Sequence, residues 1–107
     1  MDFDKTFKDA ETMMVNADQA NELNVAMLRF GKYEQALDYA EKQYKLHPEQ
    51  WSLLLNRAIA GYHLDMKKQA VKDVRKVIGM APDQFGNRLN EIIAEFEAGT
   101  YQLTQYN

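Results

Sequence analysis

The chain has 107 residues, 46% hydrophobic and 27% charged, no cysteine, and a formal net charge of -3. Those figures describe one small domain of ordinary globular composition and exclude disulfide and thiolate chemistry. The mild acidity argues against non-specific nucleic-acid binding, and no apolar run approaches the length of a membrane span.

The opening "MDFDKTFKDAETMM" lacks the basic start and long apolar run of a signal peptide, so a cytoplasmic protein is expected. A first helix is predicted from about Asp4 to Met14. Phe3, Phe7, Ala10 and Met14 form its stripe at spacings of four, three and four. That stripe either covers the next helix or joins two molecules as a homodimer.

The second helix is predicted from Ala17 to Phe30, with Asn16 or Asp18 as its cap. Ala20, Leu23, Met27 and Phe30 face inward, and Gly31 stops it. The third runs from Lys32 to Leu46, with Tyr33, Ala36, Leu37, Ala40 and Tyr44 inward. The fourth spans Glu49 to Leu64. The fifth spans Met66 to Met80, with Ala70, Val71, Val74, Val77 and Ile78 inward. The sixth runs from Gln84 to Ala98, before Gly99 and the polar tail "TYQLTQYN". The two prolines, Pro48 and Pro82, each close a helical pattern.

Shifting the sequence by 34 residues brings Ala36 onto Ala70, Leu46 onto Met80, Pro48 onto Pro82 and Gly31 onto Asp65. Gly99 and Tyr101 then fall in register with Gly31 and Tyr33. A small turn residue, an aromatic, an alanine and a closing proline at this period resemble the tetratricopeptide repeat, a helix–turn–helix unit. The second copy departs from it, with Lys67 where the first has Tyr33. The resemblance covers residues 17–98. It implies an all-α, right-handed superhelical stack. This comprises an N-terminal helix (3–15), two repeats (17–50 and 51–84), a C-terminal capping helix (85–98) and a tail (99–107). The sixth helix carries Arg88, Glu91 and Glu95 on the face where a following helix would pack, as a terminal cap should.

The resemblance also implies where a ligand would lie, because the first helix of each unit lines a concave surface in that family. By register this gives Asn21, Val25, Leu28 and Arg29, then Leu55, Asn56, Ile59, Tyr62 and His63. The third unit adds Leu89, Asn90, Ile93, Phe96 and Glu97. Along the fourth helix the apolar arc is too broad for one interface: Trp51, Leu54, Ala58 and Gly61 centre about 90° from Leu55, Ile59 and Tyr62 at 100° per residue. The second stripe is either a peptide groove or further core. A groove of this kind would use apolar side chains for area and the amides of Asn21, Asn56 and Asn90 for a peptide backbone. The lysine, asparagine and arginine set with which related repeats grip acidic chaperone tails is missing, apart from Asn56.

Other constellations point away from chemistry. Ser52 is the only serine, so no serine–histidine–acid set is available. His47 and His63 without cysteine make no metal site. There is no glycine-rich phosphate loop. The basic run Lys67, Lys68, Lys72, Arg75 and Lys76 reads as a solvated outer face. The sequence therefore predicts a non-enzymatic module without metal or cofactor. Its partner is a peptide or an amphipathic helix, and it acts as adaptor or small chaperone, with bacterial secretion chaperones one example of the type. Self-association through the first helix or the open C-terminal end is the alternative.

Overall fold

A computed structural model describes residues 3–103. Within them the helices are α1 (Phe3–Thr12), α2 (Ala17–Arg29), α3 (Tyr33–Leu46), α4 (Trp51–His63), α5 (Lys67–Ile78) and α6 (Gly86–Ala98), and no strand occurs. A 3₁₀ turn at Asp83–Phe85 takes the place of the first turn expected of the sixth helix. Helices adjacent in sequence pack on one another, and α2 also packs directly on α4.

Local chemistry accounts for the ends. Asn16 caps α2: its side chain accepts from the Gln19 amide, and the Gln19 side chain accepts from the Asn16 amide. This reciprocal box satisfies donors that a first turn leaves free. At three other junctions the chain passes through the left-handed region, at Gly31 (φ 73°), Asp65 (φ 60°) and Gly99 (φ 72°). The residue after each donates back across the turn. Lys32 N–H reaches Met27 O at 2.9 Å, Met66 N–H reaches Gly61 O at 2.8 Å, and Thr100 N–H reaches Glu95 O at 2.9 Å. This left-handed cap closes a helix end and reverses the chain. It recurs every 34 residues, so the sequence period is also a period of the backbone. Pro48 and Pro82 fall between helices, where the missing amide costs nothing.

The core is built where helices approach through small residues. Ala36, Ala58 and Ala70 are fully buried. A Cβ placed on Gly61 would stand 4.0 Å from the Cβ of Ala70. Around them Tyr39, Met27, Leu53, Leu54, Val74 and Val77 are removed from water, each such apolar side chain worth roughly 1.5–3 kcal/mol on burial. At the N-terminal end Phe7 and Ala10 are buried, and the Phe7 ring lies 6.0 Å from that of Phe30. The α1 stripe thus covers α2. Met14 does not share in this: α1 ends at Thr12, leaving Met14 in the turn and fully exposed. The side chain of Phe3 lies outside the described residues.

The other end departs from the expected polar tail. Tyr101 is only 8% exposed and Leu103 packs partly against the core. The reason is that α6 presents a continuous apolar stripe of Leu89, Ile92, Ile93 and Phe96. Tyr101, edge-on to Phe96, covers its C-terminal end. The opposite face of α6 is polar and exposed, with Arg88 paired to Glu91 (3.2 Å) and Glu95 (2.6 Å).

Candidate functional site

The face expected to bind lies on α2 and α4, which the fold places side by side. Six of its predicted residues are partly exposed there: Asn21, Val25 and Arg29 on α2, and Leu55, Tyr62 and His63 on α4. Three others are buried. Leu28 and Ile59 are core because α2 and α4 pack directly, which buries the flanks of both stripes. Asn56, 5% exposed, donates through Nδ2 to Asn21 Oδ1 at 2.9 Å. Two of the three aligned asparagines therefore hold each other. The third, Asn90, is exposed and donates to the carbonyl of Gly86 in its own helix. On α6 the residues assigned to the same face, Leu89, Ile93 and Phe96, are buried, whereas Glu97 is exposed.

A file of rings runs along one end of this face. Tyr33, at the start of α3, stacks on His63 at the end of α4, with centroids 4.2 Å apart and planes at 12°. Tyr62 meets His63 edge-on at 5.3 Å and stacks on Phe96 of α6 at 4.6 Å and 9°. Tyr101 closes the file, edge-on to Tyr62 at 5.9 Å and to Phe96 at 5.1 Å. Offset-stacked and edge-to-face pairs at such distances add about 0.5–1.5 kcal/mol beyond area alone. Burial pushes the His63 imidazole below its ordinary pKa and the Tyr101 phenol above its own. Sequence reasoning placed Tyr62 and His63 on the face but left out Tyr33 and Tyr101. The register of Tyr101 with Tyr33 was the available signal.

Two further features lie away from this face. Between α3, α4 and α5, Arg57 and the buried Asp73 form a two-pronged ion pair, Nε to Oδ2 at 2.9 Å and the second nitrogen to Oδ1 at 2.7 Å. Gln69 donates to the same carboxylate at 2.9 Å. The bond to Asp73 is the main reason the Arg57 guanidinium holds its proton more tightly than usual. This network borders a cavity of about 320 Å³ that also touches Leu37, Glu41 and Ala70. At the α1–α2 turn, Met13, Met14, Val15 and Leu46 line an open cleft of about 560 Å³ edged by Lys42, Lys45 and His47.

The basic residues of α5 are exposed, as their helical spacing implies. Three are tied to their own chain: Lys67 Nζ donates to the Glu97 carbonyl at 3.2 Å, Arg75 pairs with the Glu97 carboxylate at 3.7 Å, and Lys76 lies over the Tyr44 ring at 5.7 Å. Lys67 and Glu97 stand 34 residues beyond Tyr33 and His63, so the same junction is closed by stacking in one copy and by a hydrogen bond in the next. Among the described residues no group of three histidine or acidic side chains is placed to hold a metal ion, and no helix is long and apolar enough to cross a membrane. Comparison with protein-family models, curated proteins and solved structures finds no match for this chain.

Proposed function

We propose that the chain is a non-enzymatic protein-binding module of the tetratricopeptide kind, working in the cytoplasm as an adaptor or small chaperone, with the face of α2 and α4 as its groove. The observation that carries the reading is the partial exposure of Val25, Leu55 and Tyr62 along neighbouring helices, flanked by Asn21, Arg29 and His63. A strip of apolar contact area with polar side chains at its margin suits an extended peptide or one face of an amphipathic helix. The three left-handed caps at a 34-residue period support the repeat resemblance on which the groove rests. Selection from a displayed peptide library against the intact protein tests this. Selected peptides should lose binding to Leu55→Arg or Val25→Arg and keep it with Lys72→Ala. Binding that depends on Lys72 instead would move the site to the basic outer face.

A second reading is self-association, favoured by one observation. Met13, Met14 and Leu46 leave large apolar side chains exposed around a single cleft, and methionine adapts to varied partners. Sedimentation of the parent and of Met14→Glu separates the readings: a dimer that the substitution dissociates places the contact at this cleft.

A further inference from the structure

The third left-handed cap, at Gly99, is followed by no helix among the described residues. In the first copy the residue two beyond the cap glycine, Tyr33, starts α3 and stacks forward on His63. In the third, Tyr101 occupies the same register but is not helical, and its ring turns back onto Tyr62 and Phe96. Leu103, two residues on, packs partly against the core. A short non-helical segment thus sits across the ring pair at one end of the proposed groove. It inserts one aromatic side chain and, two residues later, one aliphatic side chain.

Thr100 N–H is held by the cap bond to Glu95. Tyr101 is held by its edges against two rings, one of which, Tyr62, is itself partly exposed. Residues 100–103 carry no charge, and neither do Val25, Leu55 and Tyr62, which extend the apolar strip away from Tyr101. The exposed ion pair of Arg88 and Glu95 contributes the charges felt at the phenol of Tyr101.

We infer that residues 100–103 are an internal occupant of the groove, and that the partner it accepts is an uncharged, non-helical segment with an aromatic residue two positions before an aliphatic one. The inference rests on the α2–α4 groove reading and adds the chemistry of its ligand. Such a partner replaces Tyr101 at the Tyr62–Phe96 pair. Tethering gives the tail an effective concentration in the millimolar range for a short flexible link, so it shields the ring pair until a tighter segment arrives.

A fluorescein-labelled peptide AGTYQL, the chain's own residues 98–103, is the probe. It is titrated by fluorescence anisotropy against the intact protein and against the full-length Tyr101→Ala variant, with circular dichroism on both. Tyr101→Ala is expected to stay helical and cooperative and to bind the probe at least tenfold more tightly than the parent, while AGTAQL binds neither. Native-state hydrogen exchange supplies a second measurement. The amides of Gln102 and Leu103 are expected to exchange far faster than those of the α4 interior, because the tail opens without the stack. Equal affinity for both proteins overturns the inference, as does no binding to a folded Tyr101→Ala. It also fails if Tyr101→Ala unfolds the helices, or if the tail exchanges only with global unfolding, since either makes Tyr101 ordinary core. Suppose AGTYQL fails while library-selected peptides bind and are lost with Leu55→Arg. The groove then stands without its internal occupant. If no peptide of either kind binds, both readings fall.

Discussion

Asn56 on α4 donates its side-chain amide to Asn21 on α2 at 2.9 Å, joining two helices that pack side by side. The bond is largely shielded from water, and it commits a donor that a bound peptide backbone would otherwise use. Asn56→Ala leaves the Asn21 oxygen without its partner. It should therefore lower stability by about 1–2 kcal/mol, the scale for a shielded hydrogen bond lost on one side. Chemical denaturation with an unchanged m-value checks this, and an unaltered midpoint would mean that the pair contributes nothing.

The left-handed caps predict opposite outcomes for two substitutions at equivalent places. Asp65 holds φ 60° with a side chain attached, whereas Gly31 and Gly99 have none. Asp65→Gly should stabilise by a few tenths to about 1 kcal/mol, because relief of left-handed strain, about 1–2 kcal/mol, exceeds the added unfolded-state entropy. Gly31→Ala should destabilise by about 1–2 kcal/mol for the same reason reversed. Thermal melts of both variants against the parent are the measurement.

Arg57 and Asp73 give a third test. Asp73 is almost fully buried and Arg57 about three-quarters so. Removing only the carboxylate, as Asp73→Leu, strands a largely buried guanidinium. It should cost about 2–4 kcal/mol, less than for a fully buried charge because Arg57 keeps some contact with water. The double variant Arg57→Met, Asp73→Leu should recover most of that loss. A double variant as unstable as the single one would show that the pair is not coupled in this way.

The helices could be read from the sequence because their signals repeat locally. Periodic apolar residues marked each stripe, Gly31 and Gly99 marked caps, Pro48 and Pro82 marked breaks, and Ala36 and Ala70 marked close approaches. The site could be read only in part. Periodicity gives the direction of Leu28 and Ile59 on their helices but not how deeply α2 and α4 sink into each other, so their burial needed the packed structure. Arg57 and Asp73 lie on different helices, 16 residues apart, and no local rule pairs them. Tyr101 follows α6 outside any periodic apolar run, so its burial depends on the apolar stripe of α6. Asn90 shares a register with Asn56 yet donates to the Gly86 carbonyl of its own helix, a choice that register alone does not give.

His63 predicts a pH dependence. Burial beside Tyr33 and Tyr62 places its folded pKa below the unfolded value of 6.5. Over the interval between those two values the unfolded chain binds more protons, so stability rises with pH there. The contribution of neutral His63 is complete above about pH 6.5 and is lost as pH falls toward the lowered folded value. The stability difference between the parent and His63→Phe, which keeps a ring against Tyr33, should therefore shift in favour of the variant on acidification from pH 7.5 to 5. Parallel stability curves for the two proteins across that range would exclude His63 as a source.

The groove on α2 and α4 is the central claim, and chemical-shift mapping tests it most directly. Isotope-labelled intact protein is titrated with a peptide selected against it. The largest amide and methyl perturbations should fall on Val25, Arg29, Leu55 and Tyr62, with those of Lys68 and Lys72 on α5 unchanged. Tyr62→Ala is a less clean probe, since its ring stacks on Phe96 and its removal also costs stability; Leu55→Arg should abolish the perturbations while the melting temperature holds. Perturbations confined to α5, or to the cleft of Met13, Met14 and Leu46, with the α2–α4 face silent, would contradict the account.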